Sequence, residues 1–391
     1  MEDFDIAVVG AGPAGATAAR VTASQGLRTV MIEEHPTVGE PTHCGGLFSV
    51  QAARRLRLTL PEDVVLHRVD RLSIRVDGNT INVPKMRIEL LVLDRAAFDR
   101  WVVDLALKDG AELWTNAEAT GLAVGSDGCQ LTVRNGARST KVRAAITIAA
   151  DGFRRRVGKM AGMNIRHDLA TGIQYELETR HVDRSRVLIV FDRKVAPGGY
   201  AWVIPTGPRS ARVGLGVRRP VKPAEELLED FIRGEIQDWC VTRRSAHGIP
   251  VQGGIKPMYG NRLLLAGDAA GQVMPITGAG IATGMLSALL AGEVAAEAAR
   301  GDPSARVLRR YQDRWDRSLG ADFSRALRLR KMLETVTRPE AMRFTESSLR
   351  GVLLESGSKL GKLKLLRNLL RRPDNIMMFW LVVRLRNAVL I

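Results

Sequence analysis

The sequence predicts an α/β fold, in which a nucleotide-binding domain with a parallel sheet is interleaved with a mostly antiparallel β domain and followed by a helical C-terminal region. Three observations predict it. A short apolar run leads straight into a glycine-rich turn near the N-terminus, alternating strands in the middle are joined by Asp-Gly and Asn-Gly turns, and the final stretch is basic with leucines recurring at helical spacing. Read by texture, residues 1–70 and 259–302 are the two parts of the nucleotide-binding domain. Residues 71–165 hold β hairpins, a helix and a return to that domain; 166–258 form the antiparallel substrate-binding β domain; 303–391 form the helical basic C-terminal region.

The elements follow in order. Asp5 to Val9 is an apolar run of the kind buried in a parallel sheet, Gly10 to Gly15 turns the chain, and an alanine-rich helix runs to Gln25 and stops at Gly26. Arg28 to Glu33 returns as a second strand and completes a βαβ opening. Leu72 to Val76 alternates apolar and polar before Asp77-Gly78, a hairpin turn; residues 119–143 carry a second hairpin with Asn135-Gly136 at its tip. Arg95 to Lys108 between them reads as an amphipathic helix, and Ile146 to Ala150 regains the buried-strand texture. The strand Leu263–Ala266 leads to a long helix of small residues from about Gly278 to Ala299.

Composition sets outer limits. A chain of 391 residues can bury two or three cores, and its 45% hydrophobic content is that of a globular protein. No basic leader precedes the first apolar stretch, and the longest apolar run, Ile376 to Val383, is cut by Arg384 and Arg386, so a cytoplasmic chain, soluble or peripheral on a membrane surface, is expected. Cys44, Cys129 and Cys240 lie too far apart for a metal-binding pair, and their odd number argues against a disulfide framework. The net charge of +16 suits nucleic acid, an anionic membrane surface or an acidic redox partner. There is no RNA-binding signature, so nucleic acid is not an expected partner.

Gly10-Ala11-Gly12-Pro13-Ala14-Gly15 is a GxGxxG turn between a strand and a helix, the Rossmann-type arrangement. Gly10 makes the tight turn, Gly12 lets backbone approach a pyrophosphate, and Gly15 lets the helix pack on the strand. Glu33 and Glu34 end the second strand, where an acid accepts hydrogen bonds from ribose hydroxyls; strand register favours Glu33. The far end of the chain identifies the dinucleotide. Gly267-Asp268 closes a buried strand and is followed by Pro275 and by Gly278-Ala279-Gly280-Ile281 at a helix start. Asp268 can bond a ribityl hydroxyl, and the N–H groups at 278–280 can stabilise charge on a reduced flavin, which points to FAD.

With those motifs, the first 300 residues or so resemble the p-hydroxybenzoate-hydroxylase-like flavoproteins, a resemblance strengthened by Ala150-Asp151-Gly152 and by Arg95 in Leu93-Asp94-Arg95. It implies cofactor contacts for Arg95, Asp151 and Gly152. One departure is that Asp151-Gly152 continues Phe153-Arg154-Arg155-Arg156, where the superfamily usually has a serine and then an arginine. Two further motifs make the chain similar to the geranylgeranyl reductases, and to the archaeal members that act on ether lipids in particular. Pro41-Thr42-His43-Cys44-Gly45-Gly46 matches PxxCGG, and Tyr200-Ala201-Trp202-Val203-Ile204-Pro205 is similar to YxWxFP with Ile204 in place of the aromatic.

The resemblance implies an FAD-dependent reductase that saturates isoprenoid C=C bonds with a hydride from reduced flavin and a proton. Tyr200 and Trp202, two apart on a strand, share a face and could stabilise a developing cation. Cys44, in a glycine-flanked loop with Gly45 and Gly46, could relay the proton or contact the flavin; His43 reads as an exposed loop histidine, and Cys129 and Cys240 as structural. The implied partners are a geranylgeranyl-bearing lipid and an electron donor such as ferredoxin, NADPH or a deazaflavin. The basic leucine-rich segment 351–391, with Trp380, could lie on an anionic membrane or cap a substrate tunnel. An FAD-dependent aromatic hydroxylase and a flavin–quinone electron-transfer enzyme are the open alternatives.

Overall fold

The computed structural model of the chain describes residues 1–76, 78–83, 89–165 and 168–335. The basic segment 351–391 and the hairpin residue Asp77 therefore lie outside the described residues. Among the described residues the chain divides into two compact units, one within 1–42, 94–168 and 250–323 and the other within 43–93, 169–249 and 324–335. Residues 43–70, placed by sequence texture with the nucleotide-binding domain, belong to the second unit, as does the hairpin at 71–83.

The first unit is built on parallel strands. The opening strand Glu2–Val9 pairs in parallel with Thr29–Ile32 on one side and with the end of Arg138–Ala149 on the other, and Leu263–Leu265 adds beyond it. The strand Arg138–Ala149 serves two purposes: its first half is the antiparallel partner of Cys129–Asn135, and its apolar second half is a core strand of the parallel sheet. A change from alternating to continuous apolar residues along one strand records that switch. The helix Ile281–Ala299 packs against Pro13–Ser24 through small residues; a Cβ on Gly292 would come within 2.8 Å of Val21 Cβ. This helix is long and apolar enough by composition to cross a membrane, yet most of it is buried among its own neighbours.

The second unit holds a sheet that, among the described residues, has seven strands, and a smaller sheet of three. In the large sheet Leu169–Thr179, Ser210–Val217, Tyr200–Gly207 and Arg186–Phe191 pair antiparallel in turn, as expected, while Arg186–Phe191 runs parallel to Arg71–Val76. Strand alternation gives this sheet two unlike faces. One face carries Tyr175, Leu177, Ala201, Val203, Val213 and Leu215, covered by an amphipathic helix, Ala224–Glu235, that the sequence reading did not separate from the strands. The opposite face carries Tyr200, Trp202 and Ile204, packed with Val69 and Val92 of the three-stranded sheet.

Candidate functional site

The structure gathers the sequence-predicted site residues into two groups, one in each unit. In the first unit the glycine turn has the strained geometry that its sequence implies. Gly10 has φ +97°, and a Cβ there would lie 2.4 Å from the carbonyl oxygen of Ala150. A Cβ on Gly15 would lie 1.9 Å from the carbonyl oxygen of Gly10, so helix and turn can approach only with glycine at both positions. Gly12 differs from both. It caps the helix with extended backbone, Pro13 takes the first helical position, and nothing stands within 4 Å of where its Cβ would be.

Glu33 is buried, and its Oε2 accepts the N–H of Ala11 at 2.8 Å. Its Oε1 faces His35, accepting the backbone N–H at 3.1 Å and lying 2.6 Å from Nδ1. His35 is a residue that the sequence reading did not single out. Glu34 points elsewhere: its carboxylate pairs with Arg156 at 3.0 Å and Arg154 at 3.6 Å. The departure from the superfamily pattern thus has structural content, because Arg156 also reaches Glu118 at 2.7 Å. Arg155 adopts a left-handed backbone (φ 53°), is fully buried, and donates from Nε to the carbonyl of Asp268 at 3.1 Å.

Arg95 opens the helix Arg95–Lys108, capped by Asp94 through the N–H of Ala97, and grips Asp99 with two bonds of 3.0 and 2.9 Å. Burial raises the Asp99 carboxyl, opposed by Arg95, and the charge of Glu33 adds to the rise. Burial likewise raises Asp268, opposed by Arg155 and Arg95. Glu33, Arg95, Asp99, Arg155 and Asp268 therefore form one electrostatic neighbourhood assembled from four chain segments.

The turn carrying Asp268 is held from beneath. Gly267 has φ +65°, and its N–H donates to Gln272 Oε1 at 2.8 Å. Gln272 Nε2 donates to the Tyr311 hydroxyl at 2.7 Å, and that hydroxyl donates to the carbonyl of Leu265 at 2.9 Å. Pro275 is buried, the Gly278 N–H bonds the Met274 carbonyl at 2.9 Å, and the Ala279 carbonyl accepts the Met274 N–H at 2.9 Å. Ile281 begins the helix behind Gly280, whose Cβ would sit 3.2 Å from Asp268 Oδ1.

These residues fit FAD. Open space at Gly12 admits a pyrophosphate, and no side chain caps either the helix at Pro13 or the one at Ile281, so both N-termini offer N–H groups to negative charge. Glu33 Oε2 retains acceptor capacity for a ribose hydroxyl. Asp151, whose Oδ2 accepts the Val157 N–H at 2.9 Å, keeps Oδ1 buried with no protein partner, beside Gly152 at φ +68°.

The second group lies on the face of the large sheet that carries Tyr200, Trp202 and Ile204. Tyr200 and Trp202 have ring centroids 5.8 Å apart, and Phe191 also packs on Tyr200 at 5.4 Å. Burial and the neighbouring Cys44 raise the Tyr200 phenol above its ordinary value. The loop bearing Cys44 is fastened over this face. Gln174 donates to the Cys44 carbonyl at 3.3 Å, and Arg212 donates to the carbonyls of Gly45 at 3.4 Å and Leu93 at 2.8 Å while bonding Glu176 at 3.1 Å. The Gly46 N–H points back to Cys44 Sγ at 3.4 Å. Gly46 has φ +76°, and a Cβ there would meet Arg212 at 2.6 Å. His43 is not the exposed histidine expected from its loop: it is half-buried and stacked on His247 at 5.8 Å. Of the two cysteines read as structural, Cys129 is buried and Cys240 is exposed.

The fold and the glycine, Glu33 and Asp268 elements define an FAD-dependent oxidoreductase of the Rossmann type. Residues 5–184 match the FAD dependent oxidoreductase family, 241–319 the FAD binding domain family, and 168–246 the geranylgeranyl reductase catalytic domain. The chain is 34% identical to digeranylgeranylglycerophospholipid reductase 1 of Methanopyrus kandleri over 359 residues, 88% of this chain and 94% of that one. It is similar in structure to a geranylgeranyl bacteriochlorophyll reductase-like protein of Thermoplasma acidophilum (TM-score 0.85, 28% identity, 93% of this chain and 96% of that one). A p-nitrophenol 4-monooxygenase of Pseudomonas putida shares the fold alone (TM-score 0.70, 20% identity, 97% and 99% covered). The chain belongs to the digeranylgeranylglycerophospholipid reductase family.

Proposed function

We propose that this protein saturates the isoprenoid C=C bonds of geranylgeranyl groups carried on a membrane ether lipid, with Cys44, Tyr200 and Trp202 as the residues that meet the reacting chain. The observation that carries the reading is the aromatic pair Tyr200–Trp202 on one sheet face with the Cys44 loop fastened over it. An isolated trisubstituted alkene has no carbonyl to polarise, so its reduction needs a hydride at one carbon and a proton at the next. FAD, bound and reduced, supplies the hydride.

As the proton arrives at the less substituted carbon, positive charge builds on the more substituted carbon, which takes the hydride. Aromatic faces stabilise it without quenching it, and the raised phenol of Tyr200 keeps that ring neutral. Cys44 gives its thiol proton to the less substituted carbon, and the Gly46 N–H, 3.4 Å from Sγ, stabilises the thiolate left behind. The electron donor is a ferredoxin, NADPH or a deazaflavin, each of which would bleach the bound flavin anaerobically if it is the one used. Contact with an anionic membrane is assigned to the basic segment 351–391, and cosedimentation with anionic vesicles tests it.

The test of the function is product mass. Incubated anaerobically with dithionite and a geranylgeranyl glycerophospholipid, the holoprotein should return lipid heavier by two hydrogens per bond reduced. Uptake of one oxygen into an aromatic substrate with NADPH in air would favour the hydroxylase reading. Reduction of a quinone ring with its isoprenoid tail unchanged would favour the electron-transfer reading.

A further inference from the structure

Gln174 lies on the strand Leu169–Thr179, is 3% exposed, and joins two residues of the proposed site. Its Oε1 accepts the indole N–H of Trp202 at 3.1 Å, and its Nε2 donates to the carbonyl of Cys44 at 3.3 Å. An indole N–H can only donate and a backbone carbonyl can only accept. The two partners therefore fix the amide's orientation, and they demand a group that is an acceptor at one end and a donor at the other. The surroundings leave little play. A Cβ on Gly45 would lie 2.8 Å from Ile204 Cδ1, and one on Gly214 would lie 2.5 Å from the Trp202 ring, so loop and indole are both seated against glycine. Ser245 Oγ donates to the backbone carbonyl of Gln174 at 3.3 Å and anchors the strand at that point.

We propose that Gln174 is a positioning residue for the reduction: it holds the Cys44 loop and the Trp202 indole in one fixed relation, and acts on the substrate only through them. The inference rests on the roles proposed above for Cys44 and Trp202. A side chain that merely filled space could be replaced by one of similar volume, whereas a clamp needs its donor and its acceptor.

The test compares Gln174→Met, which keeps the volume and loses both bonds, with Gln174→Glu, in a Cys240→Ser background that removes the exposed thiol. Two readings are taken on the holoprotein: anaerobic reduction of a geranylgeranyl glycerophospholipid, and the alkylation rate of Cys44 by iodoacetamide. Gln174→Met should lower kcat roughly tenfold or more at every pH, with KM changed by less than about twofold, and should alter the alkylation rate several-fold. Gln174→Glu should be rescued by acid. When protonated, the buried carboxyl accepts from Trp202 and donates to Cys44 like the amide; when ionised it can no longer donate. Its kcat relative to wild type should therefore fall as pH rises. A Gln174→Met protein with wild-type kcat and alkylation rate, or a Gln174→Glu protein whose relative kcat is independent of pH, would overturn the proposal. Should Gln174→Met not fold, the pH dependence of Gln174→Glu decides alone. Should the wild-type protein reduce no lipid, the reductase reading fails, and the alkylation rates still decide whether the clamp exists.

Discussion

The Glu33 carboxylate accepts the backbone N–H of Ala11 at 2.8 Å and so ties the end of the second strand to the glycine turn 22 residues earlier. With His35 on its other oxygen, the carboxylate is fixed before any cofactor arrives. Glu33→Gln loses at least one of these bonds, because an amide presents only one acceptor end. Hydrogen bonds to a charged group are worth about 1.5–3 kcal/mol. The Kd for FAD, measured by titrating apoprotein, should rise about 10- to 100-fold.

Gly12 and Gly15 should fail in different ways. A Cβ at Gly15 collides with backbone 1.9 Å away, so Gly15→Ala should lower the melting temperature of the apoprotein itself. A Cβ at Gly12 meets nothing within 4 Å, so Gly12→Ala apoprotein should melt as wild type does. It should nevertheless purify with little flavin absorbance, because the new methyl occupies the pyrophosphate's space.

Gln272 is fully buried between Gly267 and Tyr311. Gln272→Leu leaves the Gly267 N–H without its acceptor, a cost of about 1–3 kcal/mol for each buried group so abandoned. The melting temperature should drop by several degrees, and FAD affinity should fall with it as the Asp268 turn loosens. Tyr311→Phe should give a smaller drop, since Gln272 keeps its bond to Gly267.

Burial raises the Asp151 carboxyl above the ordinary range, against the opposing Val157 N–H. A raised value in the folded state means that the folded chain holds a proton which the unfolded chain has released. Stability from this group is therefore lost as pH rises from the ordinary carboxylate value, about 4, through the folded value, and it stays lost above. Asp151→Asn removes the effect. In apoprotein melts the variant should match wild type at the acid end and exceed it progressively toward neutral pH.

Much of the first group was legible in the sequence because its determinants are local. The turn at Gly10–Gly15, Glu33 at a strand's end and Gly267-Asp268 each declare themselves within a few residues, and the helix Arg95–Lys108 falls where its pattern places it. The alternation of Tyr200 and Trp202 likewise follows from strand geometry alone. What sequence could not supply are partners distant along the chain. Gln174 meets Cys44 across 130 residues and Arg212 meets Gly45 across 167, and nothing about an isolated Gln or Arg on a strand announces such a contact. His43 was misjudged for the same reason, since the ring that shields it belongs to His247. Glu34 was a reasonable candidate until Arg154 and Arg156, more than a hundred residues away, were seen to take its carboxylate.

The central claim is that this chain's bound flavin delivers its electrons to an isolated isoprenoid double bond. The most direct test is an anaerobic single turnover of photoreduced holoprotein, free of excess reductant, with a geranylgeranyl glycerophospholipid. Absorbance near 450 nm and lipid mass are followed together. One double bond should be saturated for each flavin that regains its oxidised spectrum. A flavin that stays reduced beside intact lipid, or one that reoxidises while the lipid mass is unchanged, would contradict it.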